Sequence, residues 1–214
     1  MIVSCVSNAS APLLPELKEW LEQSDRVVAV DGGLDTCMNI SCVPDLVVGD
    51  GDSMSREAQR YAKSLGWQPA PKEKDQSDFE LALEAISEWP ASRVRAFQSL
   101  DDRWDYNFDA FLAASQKSFP LEFWTERSLS FILNSQNSIF KWPRPEFAEI
   151  QWTGRLSVFP LSSRFSVEAK GLKWPISWKA QSLPCRSLSN EISGRELELQ
   201  LLEGALAVLF ERKI

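Results

Sequence analysis

The first half of the chain alternates short apolar runs with amphipathic stretches. Runs rich in β-branched and aromatic residues are typical of buried strands, and they occur at 2–6, 27–30, 46–48, 94–97 and 121–124. Apolar residues recur at helical spacing in the stretches between them, at 13–21, 56–65, 79–86 and 108–114. Strands that alternate with helices predict a parallel sheet covered by helices.

The pattern changes from about residue 121 onward. Short strand-like pieces at 130–133, 156–159, 165–167, 196–202 and 205–210 alternate with turns that contain Gly or Pro. Because no helical periodicity accompanies them, they predict an all-β domain, either a sandwich or a small jelly roll. The predicted fold class is therefore α/β plus all-β. A Rossmann-like parallel-sheet domain at 1–120 would precede a β-sandwich or jelly-roll-like domain at 121–214, with a loop open to mobility or insertion at 134–145.

The clearest single element is the helix that follows Lys74. Ser77 and Glu80 have the spacing of a capping box, Ser-x-x-Glu, which predicts the start of the helix. This start places Asp75 and Asp78 at the positive end of the helix dipole. Taken alone, both acids would be interpreted as helix caps.

Composition narrows the class of protein. The chain has 214 residues, of which 44% are hydrophobic and 25% charged, as in an ordinary globular protein. Its net charge of −7 argues against a nucleic-acid-binding surface but not against a nucleotide ligand. The chain contains no histidine, so mechanisms that need an imidazole are excluded.

The sequence also favours a cytoplasmic location. The chain begins directly with a strand-like run and lacks the basic and apolar regions of a signal peptide. No apolar run approaches the ~20 residues of a membrane span. Its four cysteines lack metal-ligand spacing, so reduced thiols are expected.

Acidic motifs follow the predicted strands. They are Asp31-Gly32-Gly33, Gly49-Asp50-Gly51-Asp52-Ser53, Lys74-Asp75-Gln76-Ser77-Asp78 and Arg103-Trp104-Asp105. Because ligands of a doubly wound sheet bind outside the carboxyl ends of its strands, three of these motifs deliver acids to the same edge. Clustered carboxylates repel one another unless a cation neutralises them, and glycines let the backbone approach phosphate. The pattern predicts a Mg²⁺–phosphate site.

Competing phosphate and metal motifs are absent. The chain has neither a P-loop sequence nor Gly-x-Gly-x-x-Gly. An EF-hand loop opening at Asp50 would place Tyr61 where the bidentate glutamate belongs.

Taken in order, these motifs resemble the thiamine pyrophosphokinase family. The resemblance rests on Asp31-Gly32-Gly33, on Pro44-Asp45 with Gly49-Asp50-x-Asp52-Ser53, on Lys74-Asp75-x-Ser77-Asp78 and on Arg103-x-Asp105. Two further segments resemble the thiamine-pocket signatures of that family, namely Gly171-Leu172-Lys173-Trp174-Pro175 and Ser187-Leu188-Ser189-Asn190-Glu191.

The resemblance implies a homodimer with active sites at its interface, which converts ATP and thiamine into AMP and thiamine diphosphate. It implies a metal site of Asp50, Asp52, Asp75, Asp78 and Asp105. It also implies catalytic roles for Asp52, Asp78, Arg103 and Asp105, with Arg103 stabilising the transferred diphosphate. The remaining implied binding residues are Asp31, Gly32, Gly33, Ser53 and Lys74 towards phosphate, and Trp174, Ser187, Ser189 and Asn190 towards thiamine.

The chain departs from the family pattern at a few positions. Asp101-Asp102 replaces glycines before Arg103, Tyr106 replaces a histidine, and Ala110 replaces an asparagine. Gly51 replaces a larger apolar residue and predicts a more flexible turn. Two alternatives stay open: a thiamine-binding protein with weakened catalysis, and a pyrophosphokinase for another hydroxymethyl heterocycle.

Overall fold

A computed structural model describes residues 1–7, 17–71, 73–97, 104–148, 150–182 and 186–213. The helices are α1 (Leu17–Glu22), α2 (Gly33–Asn39), α3 (Arg56–Ser64), α4 (Asp78–Ser87) and α5 (Trp104–Ser115), with a 3₁₀ turn at Pro145–Phe147. The strands of the first half are β1 (Ile2–Ser7), β2 (Arg26–Val30), β3 (Leu46–Val48), β4 (Arg93–Phe97) and β5 (Leu121–Trp124). Those of the second half are β6 (Ser128–Leu133), β7 (Ile139–Trp142), β8 (Trp152–Pro160), β9 (Arg164–Lys170), β10 (Ile176–Ser182), β11 (Ser187–Glu191), β12 (Leu197–Glu203) and β13 (Leu206–Arg212).

The chain forms two compact units. Unit 1 comprises Met1–Ala113 with Phe123–Thr125, and unit 2 comprises Ala114–Glu122 with Glu126–Ile214. The described strands make one large mixed sheet and a separate antiparallel sheet of four strands. The coarse prediction of an α/β region followed by a β-rich region is thus confirmed, while the boundary at 120/121 stays a prediction.

Unit 1 contains the parallel strands that the alternating pattern predicted. Their order is β4-β1-β2-β3, with Ser7 beside Val30 and Val30 beside Val48. Their apolar side chains are buried because helices cover them, and α4 contributes Phe79, Leu83 and other apolar residues. Parallel register brings the carboxyl ends of β1, β2 and β3 to one edge, as the sequence predicted.

Unit 2 consists mainly of antiparallel strands. One set has the order β11-β8-β13-β6, and the other has the order β10-β9-β12-β7. Aromatic side chains fill its core, where the rings of Phe131, Phe140 and Phe210 lie 4.7–5.9 Å apart, measured between centroids. This aromatic packing explains why the second half of the chain needs no helix to cover its apolar residues.

Several elements were wrong or missing in the sequence prediction, and strands β10 and β11 were among those not predicted. Strand β7 lies inside the predicted loop 134–145, because Phe140 and Trp142 alternate into the core over only four residues, too few for a clear period. Helix α2 was missed because it opens with glycine, a poor helix former. Helix α5 begins at Trp104, earlier than the predicted 108. The predicted capping box of Ser77 and Glu80 is confirmed.

Two further features of the described residues concern helix length and the cysteines. None of the described helices combines the length and the apolar character needed to cross a bilayer. Cys5, Cys37 and Cys42 are free thiols, whereas Cys185 lies outside the described residues.

The start of α2 packs directly on the end of β1 at Gly33. A Cβ atom at Gly33 would lie 1.9 Å from the carbonyl oxygen of Val6, which is far inside van der Waals contact. The absence of a side chain therefore lets the helix approach the strand.

We expect Gly33→Ala to lower the free energy of unfolding by about 3 kcal/mol or more, because backbone atoms must move to accept the methyl group. Urea denaturation measures this change. The control is Gly66→Ala, where φ is +83° but no atom lies within 4 Å of the added Cβ. The control should cost only about 1–2 kcal/mol from the left-handed backbone. Equal effects of the two substitutions would contradict the packing argument.

Candidate functional site

The carboxyl edge of the parallel strands gathers acidic side chains. Strand β2 runs into Asp31, and β3 runs into Gly49 and Asp50, while Asp78 is the first residue of α4. Carboxylate oxygens of Asp31, Asp50 and Asp78 all lie within 4.8 Å of one another. We call these three residues the carboxylate cluster.

Asp31 organises the loop that carries Asp50. Its carboxylate accepts hydrogen bonds from the N–H of Gly51 at 2.9 Å and the N–H of Ser53 at 3.2 Å, and also from the Ser53 hydroxyl. The Ser53 oxygen in turn accepts a bond from the N–H of Gly32 at 3.0 Å. Asp31 is only 7% exposed, so these donors replace water around its charge. The loop after β3 is thereby fixed to the end of β2.

Backbone geometry at this edge depends on left-handed residues. The φ angles are +48° at Asp31, +131° at Gly49 and +83° at Gly51. Asp is one of the few L-residues that tolerate this region, and glycine adopts it freely. The Asp-Gly composition of the motifs therefore has a conformational reason besides any role towards phosphate.

Asp50 caps its own turn. One of its oxygens accepts the N–H of Asp52 at 2.9 Å, which is the two-residue pattern of an Asx turn. A carboxylate has about four lone-pair sites, so this single bond leaves acceptor capacity on Asp50 for a ligand.

Lys74 is the cation of the carboxylate cluster. Its Nζ lies 2.8 Å from Oδ1 of Asp78, and its side chain is only 14% exposed. Burial would lower the pKa of Lys74, but the hydrogen bond and charge of Asp78, together with Asp50 and Asp31, outweigh it and raise that pKa. Lys74 thus remains protonated beside the cluster.

The cluster and Lys74 suit a hard divalent cation. The three carboxylates outnumber the single ammonium group, so the group has a net negative charge, and every carboxylate donor is an oxygen. Mg²⁺ prefers oxygen ligands and commonly uses one or two carboxylates together with phosphate and water. The residues present therefore fit the metal that the sequence predicted.

Gly51 is closely packed, so a larger side chain would not fit at this position. A Cβ atom there would lie 2.7 Å from Cη2 of Trp67, and the amide of Gln59 donates to the Gly51 carbonyl at 2.8 Å. The Trp67 ring fills the space that a larger residue would need. The prediction of a more flexible turn took no account of this ring, which lies sixteen residues along the chain and left no local signal.

The other predicted acids lie outside the carboxylate cluster. Asp52, Asp75 and Asp105 are exposed, and among the described residues the group with metal-ligating geometry is Asp31, Asp50 and Asp78. The sequence motifs predicted a phosphate-binding role for Asp31 and no role as a metal ligand. Arg103 lies outside the described residues. The roles assigned to these side chains stay predictions.

In unit 2, Asn190 joins the two segments that resemble a thiamine pocket. Its side chain is fully buried, and its amide donates to the Trp174 carbonyl at 2.8 Å and to the Ser187 hydroxyl at 3.0 Å. Its Oδ1 accepts from the N–H groups of Trp174 at 3.2 Å and Glu191 at 2.9 Å. These bonds use both donors and both acceptor positions, so Asn190 positions the backbone around Trp174.

The Trp174 ring itself is exposed. Its side chain lies in the turn before β10, and the residue is 51% exposed, which leaves the ring open to a ligand. Lys173 Nζ sits 4.7 Å from the ring centroid and pairs with Glu191 at 2.8 Å, so the ring already attracts a cation. Ser189 is also exposed, and its N–H donates to Ser157 Oγ at 3.1 Å.

Comparison with known proteins shows a family similarity over part of the chain and a fold similarity over nearly all of it. Residues 17–118 match the family model described as "Thiamin pyrophosphokinase, catalytic domain". No curated protein sequence matches the chain.

Solved structures of similar fold cover nearly the whole chain. Thiamin pyrophosphokinase from Geobacillus thermodenitrificans is 23% identical, with a TM-score of 0.76 over 100% of this chain and 98% of that one. The Candida albicans enzyme is 17% identical, with a TM-score of 0.79 over 99% and 89% of the two chains. The yeast enzyme is 16% identical, with a TM-score of 0.74 over 99% and 86%. At these identities the likeness establishes the fold.

We expect Asn190→Ala to lower the free energy of unfolding by about 2–3 kcal/mol, because buried partners on Trp174 and Ser187 lose their hydrogen bonds. Chemical denaturation followed by tryptophan fluorescence measures this change. Trp174→Ala is the control: its ring is exposed, so it should change stability by less than about 0.5 kcal/mol. A large loss of stability in Trp174→Ala would show that its ring belongs to the core.

Proposed function

We propose that this chain, whose residues 17–118 match the catalytic domain of thiamin pyrophosphokinase, is a member of that family and transfers the diphosphate group of ATP to the hydroxyl of thiamine. The products are thiamine diphosphate and AMP. The observation that carries the proposal is the carboxylate cluster with Lys74, at the edge of a parallel sheet and inside the matched domain. A cluster of carboxylates beside one ammonium group suits the binding of a metal-bound polyphosphate.

Mg²⁺ is part of the proposal, with Asp50 and Asp78 as its principal protein ligands. Asp31 lies at the same place, but its oxygens already accept bonds from Gly51 and Ser53, so its main task is to hold the loop. When bound, Mg²⁺ neutralises charge on the polyphosphate. Lys74 keeps its positive charge beside the cluster and limits repulsion between the carboxylates and the incoming phosphates.

The chemical step is an in-line displacement at the β-phosphorus of ATP. The thiamine hydroxyl oxygen forms a bond to that phosphorus, and the bond to the bridging oxygen of AMP breaks. A carboxylate at the carboxyl edge of the parallel strands, which we call the acidic edge, accepts the hydroxyl proton. We assign Arg103 to the charge that develops on the transferred group, and Asp52, Asp75 and Asp105 to the outer part of the metal–phosphate site.

Thiamine binds at Trp174 in this proposal. Its thiazolium is a cation, and an exposed tryptophan ring is the best aromatic surface for one. Ser187 and Ser189 provide hydroxyl groups for the aminopyrimidine, while Asn190 keeps the Trp174 backbone in place.

The finer features of the fold and the assembly belong to the same proposal. They are a Rossmann-like unit 1, a jelly-roll-like sandwich in unit 2, a homodimer with active sites at its interface, and a cytoplasmic location. The exposed aromatic residues at the start of α5, Trp104, Tyr106 and Phe108, support an interface between copies.

A product assay tests the function directly. Purified protein with thiamine, ATP and Mg²⁺ should form AMP and thiamine diphosphate in equal amounts, as measured by chromatography. ADP in place of AMP would contradict diphosphate transfer. Thiamine binding without any product would favour a binding protein, and turnover of another hydroxymethyl heterocycle in preference to thiamine would favour the other alternative.

We expect Asp50→Asn to reduce kcat by at least about 100-fold, because one charged oxygen donor of the cluster is lost. Circular dichroism should show an unchanged fold. The control is Glu57→Gln, which removes one negative charge from an exposed position in the first turn of α3 and should leave kcat unchanged. Full activity of Asp50→Asn would remove Asp50 from the site.

A further inference from the structure

The strand order of unit 1 reverses at β1. From β1 the sheet continues through β2 to β3 on one side and to β4 on the other. In open sheets of this kind, ligands bind outside the carboxyl ends of the strands at the point of reversal. The carboxyl end of β1 is therefore a candidate binding position, and it lies outside the acidic motifs.

Ser7 is the last residue of β1, and its hydroxyl lacks a partner. Its register neighbour on β2 is Val30, the residue before Asp31. The Oγ atom is shielded from solvent and has no hydrogen-bond partner in the part of the chain that the structure describes. A buried hydroxyl without a partner is destabilising, so folding alone gives no reason for this group.

Ser4 on the same strand shows the contrast. Its hydroxyl is also buried, but it shares a hydrogen bond of 2.7 Å with the Ser24 hydroxyl. The unsatisfied hydroxyl of β1 is thus the one at the carboxyl end of the strand.

The neighbours of Ser7 belong to the acidic edge. A Cβ atom on Gly33 would lie 3.2 Å from the carbonyl carbon of Ser7, so the start of α2 covers this strand end. The Asp31 carboxylate, which follows β2, accepts its hydrogen bonds from Gly51 and Ser53 and not from the Ser7 hydroxyl. The described residues provide no acceptor for the Ser7 hydroxyl, and a ligand bound at this strand end would supply one.

We propose that the Ser7 hydroxyl donates a hydrogen bond to a phosphate oxygen of the bound nucleotide. This inference rests on the proposed function, in which a metal-bound polyphosphate occupies the acidic edge. Phosphate oxygens are strong acceptors, and a hydrogen bond to a charged acceptor is among the stronger ones in proteins. Ser7 is then a binding residue in addition to those that the motifs identify.

Calorimetry on Ser7→Ala tests the assignment. The Kd for Mg²⁺–ATP and for Mg²⁺–pyrophosphate should rise about tenfold, as expected for the loss of one hydrogen bond to a charged group. The Kd for adenosine, which lacks phosphate, should not change. The Tm of the free protein should stay the same or rise, because an unsatisfied buried hydroxyl is removed.

The matched control is Ser4→Ala. Removing this partnered hydroxyl should lower the Tm and leave the Kd for Mg²⁺–ATP unchanged, which is the opposite of the result expected for Ser7→Ala. A purely structural role for Ser7 would make the two variants behave alike.

The possible failures are distinguishable. If the wild-type protein binds Mg²⁺–ATP and forms AMP but Ser7→Ala keeps the wild-type Kd, the Ser7 assignment alone is wrong. Weaker binding of adenosine by Ser7→Ala would also overturn it, since the contact would then be to the nucleoside. A wild-type protein that neither binds Mg²⁺–ATP nor forms AMP would contradict the proposed function and the Ser7 assignment together.

Discussion

The acidic edge of unit 1 depends on the hydrogen bonds that the Asp31 carboxylate accepts. Gly51 and Ser53 donate to it from the loop after β3, and Gly32 is tied to the same loop through the Ser53 hydroxyl. A buried carboxylate is stable only where donors replace its water. The hydrogen bonds to the Asp31 carboxylate therefore also set the position of Asp50. Through them, the loop after β3 is held against the end of β2.

Charge balance limits what this edge can hold. The carboxylate cluster would be strained by mutual repulsion, and Lys74 relieves part of it from within the site. In the proposed function, a divalent cation balances the remaining negative charge, and a polyphosphate binds to that cation. Ser7 complements this arrangement because it is a neutral donor at an edge that otherwise presents mainly acids.

In unit 2, the two segments that resemble a thiamine pocket contain one residue that positions the backbone and another whose side chain is open to contact. Asn190 is buried, and its side-chain amide forms its hydrogen bonds with the protein itself. The ring of Trp174 is exposed and can contact a ligand. The Lys173 ammonium lies 4.7 Å from the centroid of that ring, which is the distance of a cation–π contact. The sequence motifs do not distinguish the roles of Asn190 and Trp174. Their solvent exposure and their hydrogen bonds in the structure do.

The sequence by itself determined the strand–helix alternation of the first half, the capping box at Ser77 and the acids that follow β2 and β3. Each of these follows from local periodicity, from side-chain to backbone bonding, or from the common direction of parallel strands. Only the tertiary structure decided three features: the contact of Trp67 with Gly51, the hydrogen bonds by which Asp31 holds the loop after β3, and the unpartnered hydroxyl of Ser7. These depend on which atoms meet across the fold, and residues distant along the chain leave no periodic or local signal of such meetings.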